Sequence, residues 1–402
     1  MKQKLLRVAA MLAVLGVMPL VSCNQSDMHD LVAADQHEST VTNNDVIAAA
    51  NDYMGMVFQN TRAKSRVVKS VEYVTTSATR SGSDTILSVV NYQDNEGFVL
   101  MAKRGSTYEL YGINNENNIS LSDTTKNEGL AYYISSVCSS IGGVGRDDKD
   151  SIKVSEPIYV GPTVTKSGPY LSKYVREWHQ QDPFNSQCET VGGTNLGYEP
   201  HCAVGCVPLA VSMILSHYQW PAVINGHSVN WQRVRGNSFG DYGEIAWLLA
   251  TMGKYYLHSV YGLEVTETSN YYVIPTLRSL GYIVEEDWSS SAYFYNSHVH
   301  SSQVPILVKG AASKNNEVSE IGHMWVRDGQ LSLYYPENAT NVAGPYTEYF
   351  DYYVWGDGGN SNGYYKVGAI QGWKDVPYES DTASLTYRYV NLRYLPSVYP
   401  NK

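Results

Sequence analysis

Apolar residues recur with helical spacing between Val207 and Tyr218. They stand at positions 207, 210, 211, 214, 215 and 218, which places them on one face of a helix. Pro208 suits the first turn of a helix, where its missing N–H costs nothing. The pattern therefore predicts an amphipathic helix with one buried face, and it places Gly205 and Cys206 at the N-terminus of that helix.

Apolar patterns in the first third of the chain predict a module of helices and strands. The predicted helices cover Asp45–Phe58 and Gly129–Ile141. Between them lie three predicted strands, Thr85–Asn91, Gly97–Ala102 and Thr107–Ile113. Turn-like stretches separate these strands, which is typical of an antiparallel meander.

The pattern changes after the charged stretch at 146–150, which predicts an exposed domain boundary there. Helices are predicted over Gly243–His258 and Pro275–Leu280, followed by a strand over Tyr282–Glu285. Later strands are predicted over Val304–Val308, His323–Asp328, Gln330–Tyr335 and Tyr364–Ile370. A helical part that carries Cys206 thus precedes a β-rich part.

The N-terminus has the pattern of an export signal. Basic residues at 2, 4 and 7 precede the apolar run Val8–Leu20, which is too short to span a bilayer. The run ends in Leu20-Val21-Ser22-Cys23, which resembles a bacterial lipobox; an ordinary signal peptide with an incidental cysteine is the alternative. We expect a signal peptide over 1–22, a lipid anchor at Cys23 with a polar tether over 23–43, and an outer-membrane or cell-surface location.

Composition narrows the candidate chemistry. The net charge is −10 without a long basic run, so we expect no nucleic-acid partner. No Cys or His spacing is typical of structural zinc, and His298 with His300 lacks a third ligand, so we expect neither a metal nor a cofactor. Cys188 and Cys202 flank a glycine-rich loop, and the sequence leaves open whether they pair.

Cys206 is a candidate nucleophile because the positive end of a helix stabilises a thiolate. A buried structural cysteine is the alternative. Such a nucleophile needs a base within hydrogen-bond reach. His217 lies about 16 Å further along the same helix and cannot serve, and His201 is a minor candidate. His323 is the best candidate, because it begins a short predicted strand that ends at Asp328-Gly329 and can be held rigidly there.

Four motifs occur in order along the chain. They are Trp178-His179-Gln180-Gln181-Asp182-Pro183-Phe184-Asn185, Gly205-Cys206-Val207 with Trp220-Pro221, Gly322-His323 with Asp328-Gly329, and Trp355-Gly356 with Gly358-Gly359 and Asn362-Gly363-Tyr364-Tyr365. In order and approximate spacing they resemble the motifs of the streptopain family of papain-like cysteine peptidases. The local signature around the cysteine of papain is absent, so the link to papain is one of fold and chemistry.

The resemblance implies an α+β fold in two parts. Residues 151–402 would form a papain-like catalytic domain, with a helical lobe and an antiparallel β lobe. Residues 41–145 resemble the inhibitory propeptide of these enzymes, with Gly97-Phe98-Val99-Leu100 as their most typical part. We therefore expect a propeptide domain and linker over 44–150.

The resemblance also implies roles for four residues. Cys206 would attack the peptide carbonyl, and His323 would take the thiol proton and pass it to the leaving amine. Gln180 would donate its side-chain amide to the oxyanion beside the N–H of Cys206. Trp355 would pack beside the imidazole and shield it from water.

One position departs from the family pattern, which usually has Asn before the late Trp. Here that residue is Val354, which cannot hydrogen-bond the imidazole. We expect an active but slower enzyme, in which a backbone carbonyl or a polar side chain such as Asn360 orients the ring. Val354→Asn would then raise kcat about ten-fold, or by about 1.4 kcal/mol.

These expectations combine into one function with two alternatives. The first is a secreted, lipid-anchored cysteine endopeptidase that acts on polypeptides and is made as a zymogen, with its own propeptide as intramolecular inhibitor. The second is a weakened or inactive homologue that acts as a surface adhesin or peptide-binding protein. The third is a Cys/His amidase that acts on cell-wall peptides.

Overall fold

A computed structural model describes most of the chain. It covers residues 43–59, 66–75, 85–104, 107–121, 127–142, 162–191, 200–236, 242–263, 265–290, 304–314, 317–336, 345–367 and 392–402. The predicted signal peptide, the anchor at Cys23, the linker after 142 and the pair His298 and His300 lie outside these residues. No helix within the covered ranges is both long and apolar enough to cross a bilayer.

Residues 43–142, called the N-terminal module below, contain two helices and four strands. In chain order they are α1 (Asn43–Phe58), β1 (Val68–Thr75), β2 (Thr85–Tyr92), β3 (Phe98–Arg104), β4 (Thr107–Asn114) and α2 (Glu128–Gly142). The four strands pair antiparallel in sequence order. The predicted helices and meander are confirmed to within two residues at each end. Strand β1 was not predicted, because a register shift between Val68 and Ser70 breaks its two-residue alternation.

Residues 162–402, called the C-terminal module below, begin with helices and end in strands. In order they are β5 (Thr163–Ser167), α3 (Lys173–Arg176), α4 (Cys206–Tyr218), β6 (Val223–Ile224), β7 (His227–Ser228), α5 (Trp231–Arg235), α6 (Gly243–Thr251), α7 (Val273–Ser279), β8 (Tyr282–Val284), β9 (Ser289–Ser290), β10 (Ile306–Lys314), β11 (Glu317–Tyr335), β12 (Tyr346–Val354), β13 (Gly363–Lys366), β14 (Arg393–Leu395) and β15 (Val398–Pro400). A π-helical turn, Met252–Tyr256, extends α6 and accounts for the longer helix predicted there. The predicted change from helices to strands is confirmed.

One antiparallel sheet runs through both modules. Eleven strands take part in the order β1-β2-β3-β4-β13-β12-β11-β10-β14-β9, with β5 added along β11. The modules join where Ile113 and Gly112 of β4 pair with Tyr364 and Tyr365 of β13. The N-terminal module is therefore attached to the C-terminal module by backbone hydrogen bonds as well as by side chains.

The sheet packs helices on both faces. On one face, α1 and α4 share a core with Met324 and Val326 of β11. On the other face, α2 shares a core with Trp325 of β11 and with Trp355. Neighbouring residues of a strand point to opposite faces, so β11 contributes alternately to the two cores.

Strand β11 differs from its prediction. It is a single strand of 19 residues, whereas the sequence predicted two strands separated at Asp328-Gly329. The chain passes this point through a register shift between Arg327 and Gly329 against β12. A Cβ at Gly329 would lie 2.5 Å from the carbonyl oxygen of Ser167, so this glycine serves the close approach of β5 and ends no strand. His323 consequently lies within a long strand and does not begin a short one.

Candidate active site

Cys206 is the first residue of α4. Gly205 precedes it with a φ of 91°, a left-handed conformation that favours glycine, and its carbonyl accepts from the N–H of Leu209 at 3.2 Å. Residues 207–216 of the same helix are buried, while Cys206 is partly exposed and carries a free thiol. The predicted helix start is confirmed, and the thiol lies where a substrate can reach it.

The other three described cysteines are buried and free. Burial raises the pKa of the Cys138 and Cys188 thiols to about 12, so both stay protonated near neutral pH. The thiols of Cys188 and Cys202, whose pairing the sequence left open, do not form a disulfide in the structure. Exposure therefore distinguishes Cys206 from the other described cysteines as a nucleophile.

Gln180 lies on a segment that is bonded to the residues before Cys206. The N–H of Val204 donates to the carbonyl of Gln180 at 2.9 Å. The Asn185 side chain donates to the carbonyl oxygen of Cys202 at 3.2 Å. These bonds fix Gln180 close to the N-terminus of α4, where the sequence expected an oxyanion donor.

His323 is buried, and its contacts hold the ring on two sides. Its Nε2 lies 3.1 Å from the carbonyl oxygen of Trp355. Its ring stacks on the Trp325 indole with the centroids 5.9 Å apart. A carbonyl only accepts hydrogen bonds, so Nε2 carries the proton and Nδ1 is the basic nitrogen. One of the two expected orienting groups, a backbone carbonyl, is thus in place, whereas the other, Asn360, has an exposed side chain.

Trp355 is buried and held through two of its N–H groups. Its indole Nε1 donates to the Ser361 carbonyl at 3.0 Å, and its backbone N–H donates to Asn362 Oδ1 at 3.1 Å. A Cβ at Gly356 would lie 2.7 Å from Leu209 Cδ2 in the first turn of α4. The Trp355-Gly356 turn therefore brings the base segment against the helix that begins at Cys206.

Asn362 has a place in the site that the sequence did not indicate. The late motif includes it, but the resemblance gave it no role. Its Nδ2 donates to the Arg176 carbonyl at 2.9 Å, and nearby the Gly358 N–H donates to the Trp178 carbonyl at 3.2 Å. These bonds join the Trp355 turn to the segment that leads to Gln180. The signal available in sequence was a buried-type carboxamide inside a glycine-rich turn.

The N-terminal module packs directly on this site. A Cβ at Gly129, in the first turn of α2, would lie 2.3 Å from Trp355 Cε3 and 2.9 Å from His323 Cδ2. On the same side, Asn114 Nδ2 donates to the Asn362 carbonyl at 2.6 Å. The backbone of α2 thus covers the imidazole and the indole.

The remaining candidate residues lie apart from this arrangement. The Nδ1 of His201 lies 2.8 Å from the Cys188 carbonyl oxygen, in the loop before the nucleophile. Burial lowers the pKa of His217, which lies in the last turn of α4. Across the ranges that the structure covers, no three Cys, His, Asp or Glu side chains cluster as metal ligands would.

A comparison with protein families matches residues 178–296 to the Peptidase C10 family. The matched region includes Gln180 and Cys206, whereas His323 and Trp355 follow it. No curated protein matches the sequence at a significant level.

Two solved structures from Prevotella intermedia are similar to the chain. A variant of a prointerpain A fragment superimposes with a TM-score of 0.53 and 15% identity, over 84% of this chain and 100% of that one. Active wild-type interpain A, a cysteine protease, has a TM-score of 0.40 and 16% identity, over 58% of this chain and 95% of that one. At such identities, the likeness to prointerpain A shows the fold.

The expected fold class is therefore confirmed, with a propeptide-like N-terminal module before a papain-like C-terminal module. The family match and the fold together indicate a cysteine peptidase made with a propeptide. As its motifs predicted, the chain resembles the Peptidase C10, or streptopain, family over residues 178–296.

Proposed function

We propose that this protein is a secreted, lipid-anchored cysteine endopeptidase made as a zymogen. The observation that carries the proposal is the partly exposed thiol of Cys206 at the start of α4. The Trp355-Gly356 turn lies against that helix and its carbonyl meets the imidazole of His323. A nucleophile and a base with a fixed tautomer are the minimum for thiol-dependent peptide hydrolysis.

The proposed reaction has two steps. Nδ1 of His323 takes the thiol proton, Cys206 Sγ attacks the peptide carbonyl carbon, and the imidazolium passes the proton to the leaving amine. Water then hydrolyses the thioester with the same base. Gln180 and the N–H of Cys206 stabilise the oxyanion in both steps. The Trp355 carbonyl remains on the Nε2 proton and stabilises the imidazolium.

The N-terminal module would inhibit the enzyme by covering the site. Gly129 lies against both rings of the base side, so a substrate has no room there while α2 is docked. The linker sequence between the modules contains Arg146, Lys149 and Lys153. Cleavage in this linker would release the module and expose the site.

Casein cleavage by the wild-type chain and by Cys206→Ala tests the enzyme. The full chain is treated briefly with trypsin at the linker, trypsin is inhibited, and digestion is followed by mass spectrometry with and without reductant. We expect cleavage and labelling of Cys206 by an epoxide of the E-64 type in wild type only. Equal cleavage by Cys206→Ala would refute the nucleophile. A wild-type chain without cleavage or labelling would be a binding protein.

Two further assays test the finer parts of the proposal. Release of peptidoglycan fragments without casein cleavage would indicate a cell-wall amidase. Acylation of Cys23 predicts a lipid-shifted mass and a membrane fraction that Cys23→Ala lacks. A single acyl chain binds membranes weakly, so stable anchoring takes more than one chain. Membrane association that survives Cys23→Ala would contradict the anchor.

A further inference from the structure

We propose that Asn362 is the positioning residue that makes the Trp355 carbonyl an effective partner for His323. The inference rests on the proposed peptidase function and adds a residue to which neither the family motifs nor the sequence assigns a role. Asn362 does not contact the imidazole or a substrate. It acts through Trp355.

The carboxamide of Asn362 uses both of its ends. Oδ1 accepts from the Trp355 N–H at 3.1 Å, and Nδ2 donates to the Arg176 carbonyl at 2.9 Å. The side chain is 1% exposed, so water does not compete for either bond. An N–H on one side and a carbonyl on the other also fix which end of the amide is which.

These bonds determine where the Trp355 carbonyl points. The residue is held at its N–H by Asn362 and at its indole by the Ser361 carbonyl. Gly356 follows with a φ of 80°, which directs the chain away and leaves the carbonyl facing Nε2 of His323 at 3.1 Å. A Trp355 residue free to move would orient the imidazole less well.

The second bond links the two sides of the reaction. Arg176 precedes Trp178, whose carbonyl accepts from Gly358 N–H at 3.2 Å, and Gln180 follows. Asn362 therefore fixes the base side against the segment that carries the oxyanion donor. Few side chains can replace it at this size, because aspartate would accept from Trp355 but repel the Arg176 carbonyl, and leucine makes neither bond.

The N-terminal module holds the same residue from outside. Asn114 Nδ2 donates to the backbone carbonyl of Asn362 at 2.6 Å, and this bond is buried. The module could therefore mask the effect of a change at Asn362 while it is docked. The test is consequently made after trypsin has cut the linker of the full chain.

The variants are Asn362→Asp, Asn362→Leu and, as a matched control, Asn225→Asp on an exposed turn. Each is assayed on one peptide, with active sites titrated by the epoxide. Alkylation of Cys206 by iodoacetamide is measured across pH. General base catalysis contributes about 10²–10⁴-fold, so partial loss of orientation should lower kcat about ten-fold in Asn362→Asp with KM little changed. Asn362→Leu should lose more, and Asn225→Asp should match wild type.

A positioning role also predicts a shift in the pH profile. A less stabilised imidazolium supports the thiolate over a narrower range, so the acid limb of alkylation should move to higher pH in both Asn362 variants. A merely structural residue would reduce the titrated active fraction and leave this limb unmoved.

Unchanged kcat and an unchanged acid limb in folded Asn362→Asp would overturn the inference. Thermal unfolding identifies any variant that fails to fold. If Asn362→Leu does so, Asn362→Asp, which keeps the shape and the acceptor, carries the test. Alkylation does not require peptide hydrolysis, so the inference can fail or hold separately from the proposed function.

Discussion

Gly129→Ala should make the uncleaved zymogen leak. The added methyl would lie 2.3 Å and 2.7 Å from two carbons of the Trp355 ring and 2.9 Å from His323 Cδ2. Ordinary contacts between carbon atoms are about 3.5–4.0 Å. Trp355 cannot yield easily, because Ser361 and Asn362 hold it. The first turn of α2 must therefore move away from the rings.

The size of the effect follows from the cost of overpacking. Inserting a methylene-sized group into a packed core costs about 1–3 kcal/mol. Alanine also favours a helix over glycine by about 1 kcal/mol, but α2 is helical whether docked or not, so that gain cancels. The open fraction of the zymogen should thus rise about 5-fold to about 150-fold, at ten-fold for each 1.4 kcal/mol.

The assay is labelling of Cys206 in the uncut chain by an epoxide of the E-64 type. Short reactions followed by intact-mass spectrometry count only uncut molecules, so self-processing does not interfere. Gly226→Ala is the matched control, since a Cβ there meets no atom within 4 Å although the backbone has a φ of 77°. We expect its labelling rate to equal that of wild type.

A labelling rate for Gly129→Ala at or below that of wild type would refute the reasoning. It would mean that α2 does not limit access to the base side, or that the rings adjust at little cost. Faster labelling in Gly226→Ala as well would assign the effect to general destabilisation.

Two other predictions concern buried positions of the sheet. Burial raises the pKa of Asp328 to about 7, although the N–H groups of Tyr170 and Leu171 donate to it. The folded state therefore binds the extra proton: the stability is present below about pH 4 and is lost as pH rises through about 7, by about 4 kcal/mol. Asp328→Asn should flatten this dependence in urea unfolding, and an unchanged slope would contradict it. Val354→Asn should not raise kcat, and it should lower the free energy of unfolding by about 1–3 kcal/mol because its amide is buried without a designed partner; a ten-fold faster enzyme would restore the expectation from the family motif.

Local patterns predicted the elements on which the site is built. The apolar spacing after Cys206 and the proline in the first turn place the start of α4 correctly. The three meander strands were also found, because each alternates regularly between two faces. These features depend on neighbouring residues alone, and a single sequence contains that information.

Long-range pairing was not predictable in this way. Nothing local in Gly112 or Tyr365 indicates that β4 and β13 pair and make one sheet of two modules. Strand β11 was divided at Asp328-Gly329 because this pair usually marks a turn. Here β5, from a distant part of the chain, needs the glycine for close approach, and only the assembled sheet reveals that need.

The orienting group of the base illustrates the same limit. His323 shares the sheet face of Trp325, two residues later, whereas Val354 belongs to the opposite core with Met324. A side chain at 354 therefore points away from the imidazole, whatever its chemistry. The carbonyl of the next residue, Trp355, takes the place that the motif gave to an asparagine. Every residue has a carbonyl, so sequence cannot indicate which one serves, but it does reveal the carboxamide of Asn362 that a fixed carbonyl requires.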